Sequence, residues 1–329
     1  MCSTIIFRAK SSISIFYSSI TASLTPTRLI FIFLGFSFFC HLSQADSKWD
    51  YTDQYQWGDV SGMCNGTRQS PINIDRNQAK LNTSLKLTLL NYDLPYLDIN
   101  KTNLTNSGHH VAITDFPANK MIIGGSALYH MSFTLLEIHW HWSKDPRDGS
   151  EHAIDGERFA SEIHFFHRNL KYSTPEEASK YEDGFATLGV LLELGEENAG
   201  LAVVLKSFQN MNNPTRKINP DEPIRLGDLL PKNRESFYTY HGSKTTPTCD
   251  ESNTWIIFKE RMTISEEQLN RLTQFYGHGE TSKLIRTNRH LQQQNDRIIY
   301  QSDTGTSLKP LYSTVLMTII SILLIKNLG

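Results

Sequence analysis

The sequence predicts a mainly β protein, a single domain with a few short peripheral helices. Three observations carry this. Apolar residues fall in short runs of strand length, and turn residues bound most of them. Helical patterns are few. No repeat, low-complexity tract or linker interrupts the about 255 residues between two terminal segments, so one large core is expected over 46–300. In chain order the strand-like runs are 85–90, 111–116, 135–142, 163–166, 186–194, 202–208 and 255–258. Two helices are expected: 174–180 opens with Thr-Pro-Glu-Glu, and 265–276 opens with a Ser cap followed by Glu266 and Glu267.

Both ends carry processing signals. Arg8, Lys10 and Arg28 precede an apolar run over 29–40 and then Ser43-Gln44-Ala45, the small-x-small pattern of a signal-peptidase site; residues 1–45 are expected to be removed. At the other end Ser302, Asp303, Thr304, Gly305 and Ser307 precede a hydrophobic run over 311–325. Over 301–329 this fits the attachment signal of a glycosylphosphatidylinositol (GPI) anchor, with a short transmembrane segment over 311–325 as the alternative. Fifteen residues span only about 23 Å as a helix, which favours the anchor. The expected location is the outer face of the plasma membrane.

Export leaves two cysteines of four, Cys64 and Cys249, an even pair expected to form one disulfide in an oxidising compartment. Asn65, Asn82, Asn100 and Asn103 head N-x-Ser/Thr sequons, and Asn100 and Asn103 are too close for both to carry glycans. With 32 Lys and Arg against 34 Asp and Glu, the net charge of -2 offers phosphates no broad attraction, and no nucleic-acid partner is expected.

The chemistry concentrates in two strand-like segments. Over 135–142, Leu-Leu-Glu-Ile-His-Trp-His-Trp, strict alternation puts Glu137, His139 and His141 on one face and Leu136, Ile138, Trp140 and Trp142 on the other. Over 162–166, Glu162, His164 and Phe166 share a face in the same way. If the strands are neighbours, three imidazoles converge and leave a fourth tetrahedral position open, as a catalytic zinc centre requires. Burying two histidines at i and i+2 without a metal or charged partner is costly, and the alternating carboxylates suit acceptors for their second ring nitrogens. A His-x-His pair also occurs in cupins and other metal proteins, so spacing alone leaves the class open.

The surrounding residues narrow it. Ser150-Glu151-His152-Ala153-Ile154, Phe159 and Glu162-Ile163-His164-Phe165-Phe166 resemble the signature of the alpha carbonic anhydrases. So do Arg68-Gln69-Ser70-Pro71-Ile72-Asn73-Ile74, Asn106-Ser107-Gly108-His109, Tyr238-Thr239-Tyr240, Gly242-Ser243, Thr245-Thr246-Pro247, Trp255 and Arg289. The resemblance spans about Trp57 to Tyr300. It implies a central, mostly antiparallel, twisted ten-stranded sheet and the reversible hydration of carbon dioxide. It further implies Zn2+ on His139, His141 and His164, Glu137 and Glu162 behind the ligands, and a Thr245–Glu151 pair that orients the nucleophile. Thr246 is expected on the same wall, His109 at the position of the proton shuttle, and a disulfide where exported members pair Cys64 with Cys249. Sulfonamides and anions are the expected inhibitors.

The sequence departs from the family pattern at several positions. Glu137 stands where Gln is usual, Phe166 and Thr187 where Val is usual, and Lys244 where Leu is usual, while Trp255 is retained. The Glu137 carboxylate is expected to raise the pKa of the activated water, and the Lys244 ammonium to oppose it. His110, beside His109, reads as a surface histidine. A non-catalytic binding module on the same scaffold is the alternative function, but inactive relatives commonly lose a zinc histidine and all three stand here. No His-Glu-x-x-His stretch supports a zinc protease.

Overall fold

The computed structural model describes residues 49–93, 102–208, 211, 213–214, 217–278 and 282–304. The export signal, nearly all of the anchor signal, and Asn100 lie outside them. Among the described residues there are fifteen strands: β1 (Asn73–Ile74), β2 (Lys80–Leu81), β3 (Thr88–Leu90), β4 (Asn103–Asn106), β5 (Val111–Thr114), β6 (Ile122–Gly124), β7 (Phe133–Trp142), β8 (Ala153–Ile154), β9 (Ser161–Asn169), β10 (Phe185–Leu194), β11 (Lys217–Ile218), β12 (Phe237–Gly242), β13 (Asn253–Phe258), β14 (Met262–Ile264) and β15 (Tyr300–Gln301). The α-helices are short: α1 (Trp57–Val60), α2 (Pro175–Ala178), α3 (Ala199–Ser207) and α4 (Glu266–Leu272).

The main sheet follows the order β11-β4-β5-β7-β9-β10-β13-β12-β15-β2, with β3, β6 and β14 attached beside that path. The expected mainly β fold is thus present, and the sheet holds thirteen strands, ten of them in one continuous path. Most pairings are antiparallel; β10 runs parallel to β13 and β14, and β15 parallel to β2. Long β7, β9 and β10 sit at its centre, where β-branched and aromatic residues meet partners on both sides.

One face of the central strands forms the main core. Ile138, Trp140, Trp142, Ile163, Phe165, Leu188 and Val190 pack there with Leu201, Val204 and Leu205 of α3 and Leu269 and Leu272 of α4. The run 202–208 is therefore helical, not the expected strand. Asn198 caps it by accepting from the Leu201 amide, and its buried residues recur at helical spacing. A short apolar run does not by itself distinguish strand from helix. The two expected helices form as α2, capped by Thr174, and α4, with a capping box between Ser265 and Gln268.

The strict alternation expected over 135–142 breaks once. The β7–β9 register shifts between Leu135 and Glu137, which inserts one extra residue on β7. Leu136 consequently leaves the Ile138–Trp140–Trp142 face and packs with Tyr172, Ala178, Phe185 and Phe166. Beyond the bulge the period of two resumes. Cys64 and Cys249 form the expected disulfide, closing a separation of 185 residues.

Candidate metal centre

The histidines are positioned by strand register. His139 on β7 lies directly opposite His164 on β9, and His141 lies opposite Glu162. All three side chains therefore project from the sheet face opposite the main core. One ligand nitrogen from each of His139, His141 and His164 falls within 4.8 Å of the others.

The other nitrogen of each ring faces an acceptor, through a hydrogen bond at His141 and His164 and at ion-pair distance alone at His139. His139 Nδ1 lies 2.7 Å from Glu137 Oε1, His164 Nε2 donates to Glu162 Oε1 at 2.8 Å, and His141 Nδ1 donates to the Thr287 carbonyl at 2.5 Å. The two hydrogen bonds fix the tautomers of His141 and His164 and leave His141 Nε2 and His164 Nδ1 free to bind, beside His139 Nε2. Burial pushes His141 well below the ordinary imidazole value and His164 down to about 4, against the pull of Glu162 on the latter. Neutral rings with fixed orientation are what a metal ion needs. Nε2 of His141 and Oε2 of Glu151 are buried without a hydrogen-bond partner, 3.5 Å apart. Two unsatisfied buried acceptors side by side are costly unless a cation compensates them, so the residues present fit a metal.

Glu162 is enclosed. Besides His164 it accepts from His152 Nδ1 at 2.7 Å and from the backbone amides of Glu151 and His152 at 2.9 and 2.7 Å. Gly189 of β10, opposite His164, gives it room; a Cβ there would stand 3.1 Å from Glu162 Oε1 and 2.5 Å from Ile257. Burial opposes the Glu162 carboxylate, but His152 and His164 outweigh it and hold the group well below the usual range. His152 in turn meets the Tyr240 hydroxyl at 2.7 Å, and Tyr240 donates to Ser70 at 2.9 Å.

Glu151 is completely buried. Its Oε1 accepts from the Arg289 amide at 2.8 Å. Burial and the nearby Glu162 push its carboxyl up to about 8, while Thr245 and the Arg289 amide pull it down. The expected ionised Glu151 thus depends on positive charge beside Oε2, which faces His141 Nε2 and lies 3.9 Å from His164 Nδ1.

A cavity of about 210 Å³ opens on this cluster. Thr245, Thr246, Phe166, Thr187, Lys244 and Trp255 all line it, together with His110, Glu137, His139, His164 and Pro247. Phe166 stacks on Phe185 with centroids 4.7 Å apart, and the Thr187 hydroxyl donates to Asn253 Oδ1 at 2.9 Å. Lys244 Nζ is 2.9 Å from Asp250 Oδ2 and 4.7 Å from the Phe185 centroid. Pairing with Asp250 cancels much of the field that Lys244 was expected to exert on the centre. A larger cavity, about 640 Å³, lies around Arg76, Tyr238, Lys259 and Arg261 and contains no histidine.

His109 is not in the lining of the smaller cavity. Its ring stacks on Trp49 at 3.7 Å, and its Nε2 lies 2.9 Å from His278 Nε2. Burial, then His278 and His110, lower it to about 3 despite Asp50. His110 corrects the surface expectation: its Nε2 is 3.0 Å from Glu137 Oε1 and its ring lies 4.8 Å from that of His139. His152, the Thr287 carbonyl, the Arg289 amide and His278 are further members of the site to which sequence reasoning assigned no part. His152, Tyr240 and Arg289 were visible only as motif residues.

Three imidazoles with room for solvent beside them, sunk in the face of a β-sheet, form a cluster that could hold a metal ion with a position left open. The family model for eukaryotic-type carbonic anhydrases matches residues 52–303, and the chain belongs to that family of zinc-dependent enzymes, which interconvert carbon dioxide and bicarbonate. Among similar proteins, carbonic anhydrase 6 of Mus musculus is 35% identical over 237 residues, 69% of this chain and 72% of the relative. Carbonic anhydrase 1 of Mus musculus is 35% identical over 234 residues, 69% and 87% respectively. Carbonic anhydrase 3 of Bos taurus is 30% identical over 261 residues, 78% and 98%.

Proposed function

We propose that His139, His141 and His164 hold one zinc ion and that the cavity beside them hydrates carbon dioxide to bicarbonate and a proton. The observation that carries this is the set of three rings whose outer nitrogens each face an acceptor and whose inner nitrogens lie together. Zinc, when bound, lowers the pKa of water to about 7 and so supplies hydroxide at neutral pH. Beside the cation the Glu151 carboxylate is ionised and can only accept. Thr245 then donates its hydroxyl proton to Glu151 and must accept from the nucleophile, which aims a lone pair at the substrate carbon. The Thr245 backbone N–H stabilises the bicarbonate oxygen, with Thr246 on the same wall. Phe166, Thr187, Lys244 and Trp255 bound the substrate pocket; the ion pair with Asp250 turns the Lys244 charge aside and leaves its stem to the apolar wall.

The proton produced leaves through His109. Stacked on Trp49 and against His278, that ring is neutral at pH 7, so it takes up a proton only after swinging away from both. The enzyme acts outside the cell: residues 1–45 direct export, 46–300 form the catalytic domain, and 301–329 direct GPI attachment. The Cys64–Cys249 disulfide supports that compartment. Asn65, which is exposed, and Asn82 and Asn103, which are partly so, are the described glycan acceptors.

Stopped-flow hydration assays test the reaction. The zinc-loaded protein should accelerate it, with activity abolished by chelation and by His139→Ala; a folded, metal-loaded protein working at the uncatalysed rate overturns the proposal. Release from cell membranes by a phosphoinositide-specific phospholipase tests the anchor, and retention favours a spanning helix.

A further inference from the structure

His110 lies beside Glu137 at the cleft wall and has no part in the proposed function. Glu137 Oε1 faces His139 Nδ1 at 2.7 Å and His110 Nε2 at 3.0 Å, so two imidazole nitrogens converge on one carboxylate oxygen. Its counterpart Glu162 is held by two imidazoles and two backbone amides. Glu137 has no such cage. Its side chain is 28% exposed, and among the described residues no backbone amide is seen donating to it.

His110 is delivered to this place by the backbone. The 107–110 turn is closed by the Ser107 amide on the His110 carbonyl, with the Ser107 hydroxyl accepting from the His110 amide, and Gly108 takes a φ of 83° that suits glycine. β5 starts at the next residue, and its Ala112 lies opposite His139. His110 precedes Ala112 by two residues and so shares its face. The small Ala112 side chain leaves the His110 ring free to lie over His139, 4.8 Å away and tilted 33°, and to reach Glu137.

We propose that His110 is a positioning residue for the metal centre: it clamps Glu137 against His139 and so keeps His139 Nε2 turned towards the ion. The inference rests on zinc binding at His139, His141 and His164. Without His110, one partly exposed carboxylate with a single partner is free to rotate into solvent. His139 then loses the acceptor that fixes its tautomer and ring angle. In the buried cluster the backbone amides would keep Glu162 in place if either imidazole were lost.

The test reads zinc release rather than turnover. Zinc-loaded protein is mixed with excess chelator and the dissociation rate is followed with a colorimetric zinc dye. His110→Ala should speed release roughly tenfold, and His110→Gln, whose side-chain N–H reaches a similar point, should restore most of the original rate. In a Glu137→Ala background, His110→Ala should add little, because the clamp has nothing to hold. Release at the unaltered rate from His110→Ala, or an equal acceleration in both backgrounds, overturns the proposal. If His110→Ala does not fold, as judged by near-UV circular dichroism, the comparison is made with His110→Ser; the same two results decide it. His139→Ala separates the two readings: if it retains one zinc per chain, the metal assignment itself fails, whereas loss of zinc there with no effect at His110 removes the clamp alone.

Discussion

Glu137 and Glu162 stand on neighbouring strands in matching places under opposite conditions. Each carboxylate takes one ring nitrogen of a proposed zinc ligand and one of a further histidine, but Glu162 is completely buried with two backbone amides added, while Glu137 stands at the cleft wall. The rim carboxylate is held by side chains alone and the interior one by the fold itself. Damage to the interior cluster should therefore reach stability, and damage to the rim should reach metal retention and tuning.

The sharpest way to break the comparison is Glu162→Ala. It strands two amide donors and two imidazoles in the core, and urea denaturation should show a loss of roughly 3–5 kcal/mol together with loss of zinc. If stability is unchanged while zinc is lost, the interior cluster is no more structural than the rim. Gly189→Ala should cost about 1–3 kcal/mol, since the added methyl meets Ile257 and crowds Glu162; full stability would mean the β10–β13 contact yields easily.

His167 is the control that lacks a carboxylate. It lies on β9, buried against Tyr92 and the Ala186 carbonyl, and burial lowers it from 6.5 to about 3. The unfolded chain takes up a proton as pH falls below 6.5 and the folded chain does not, so the titration of His167 costs nothing above that value and opposes folding increasingly down to about pH 3. At pH 5.5 the loss is about 1.4 kcal/mol, visible as a steeper acid slope than that of His167→Gln. Equal slopes would remove this contribution. The smallest effect is expected at the rim: Glu137→Gln keeps an acceptor for His139, so zinc affinity should fall by no more than about tenfold, and the inflection of the rate–pH profile should move down as the anionic charge is lost. An upward movement contradicts the assigned role.

The contrast also marks what the residues reveal without coordinates. Parity along 137–141 and 162–166 places the ligands and their carboxylates on a shared face, because a period of two is a local property. The bulge at Leu136 is not local, since it depends on which β9 residue each β7 residue meets. His110 was hidden for the same reason: its partner arrives from β7, across a register that no spacing in the 107–112 segment encodes. The 202–208 run failed differently, its Asn198 cap being the available signal and its apolar content being neutral between strand and helix.

His141 differs from the other two rings in what restrains it. Its tether is the carbonyl of Thr287, 146 positions downstream, and two residues later the Arg289 amide secures Glu151 while its guanidinium grips the carbonyls of Ser70 and Cys64. As a polypeptide emerges from the ribosome, the segments bearing all three imidazoles appear long before this closing stretch. A chain cut before Thr287 lacks the acceptor for His141 Nδ1, so the third ring depends on a segment far downstream of its own strand.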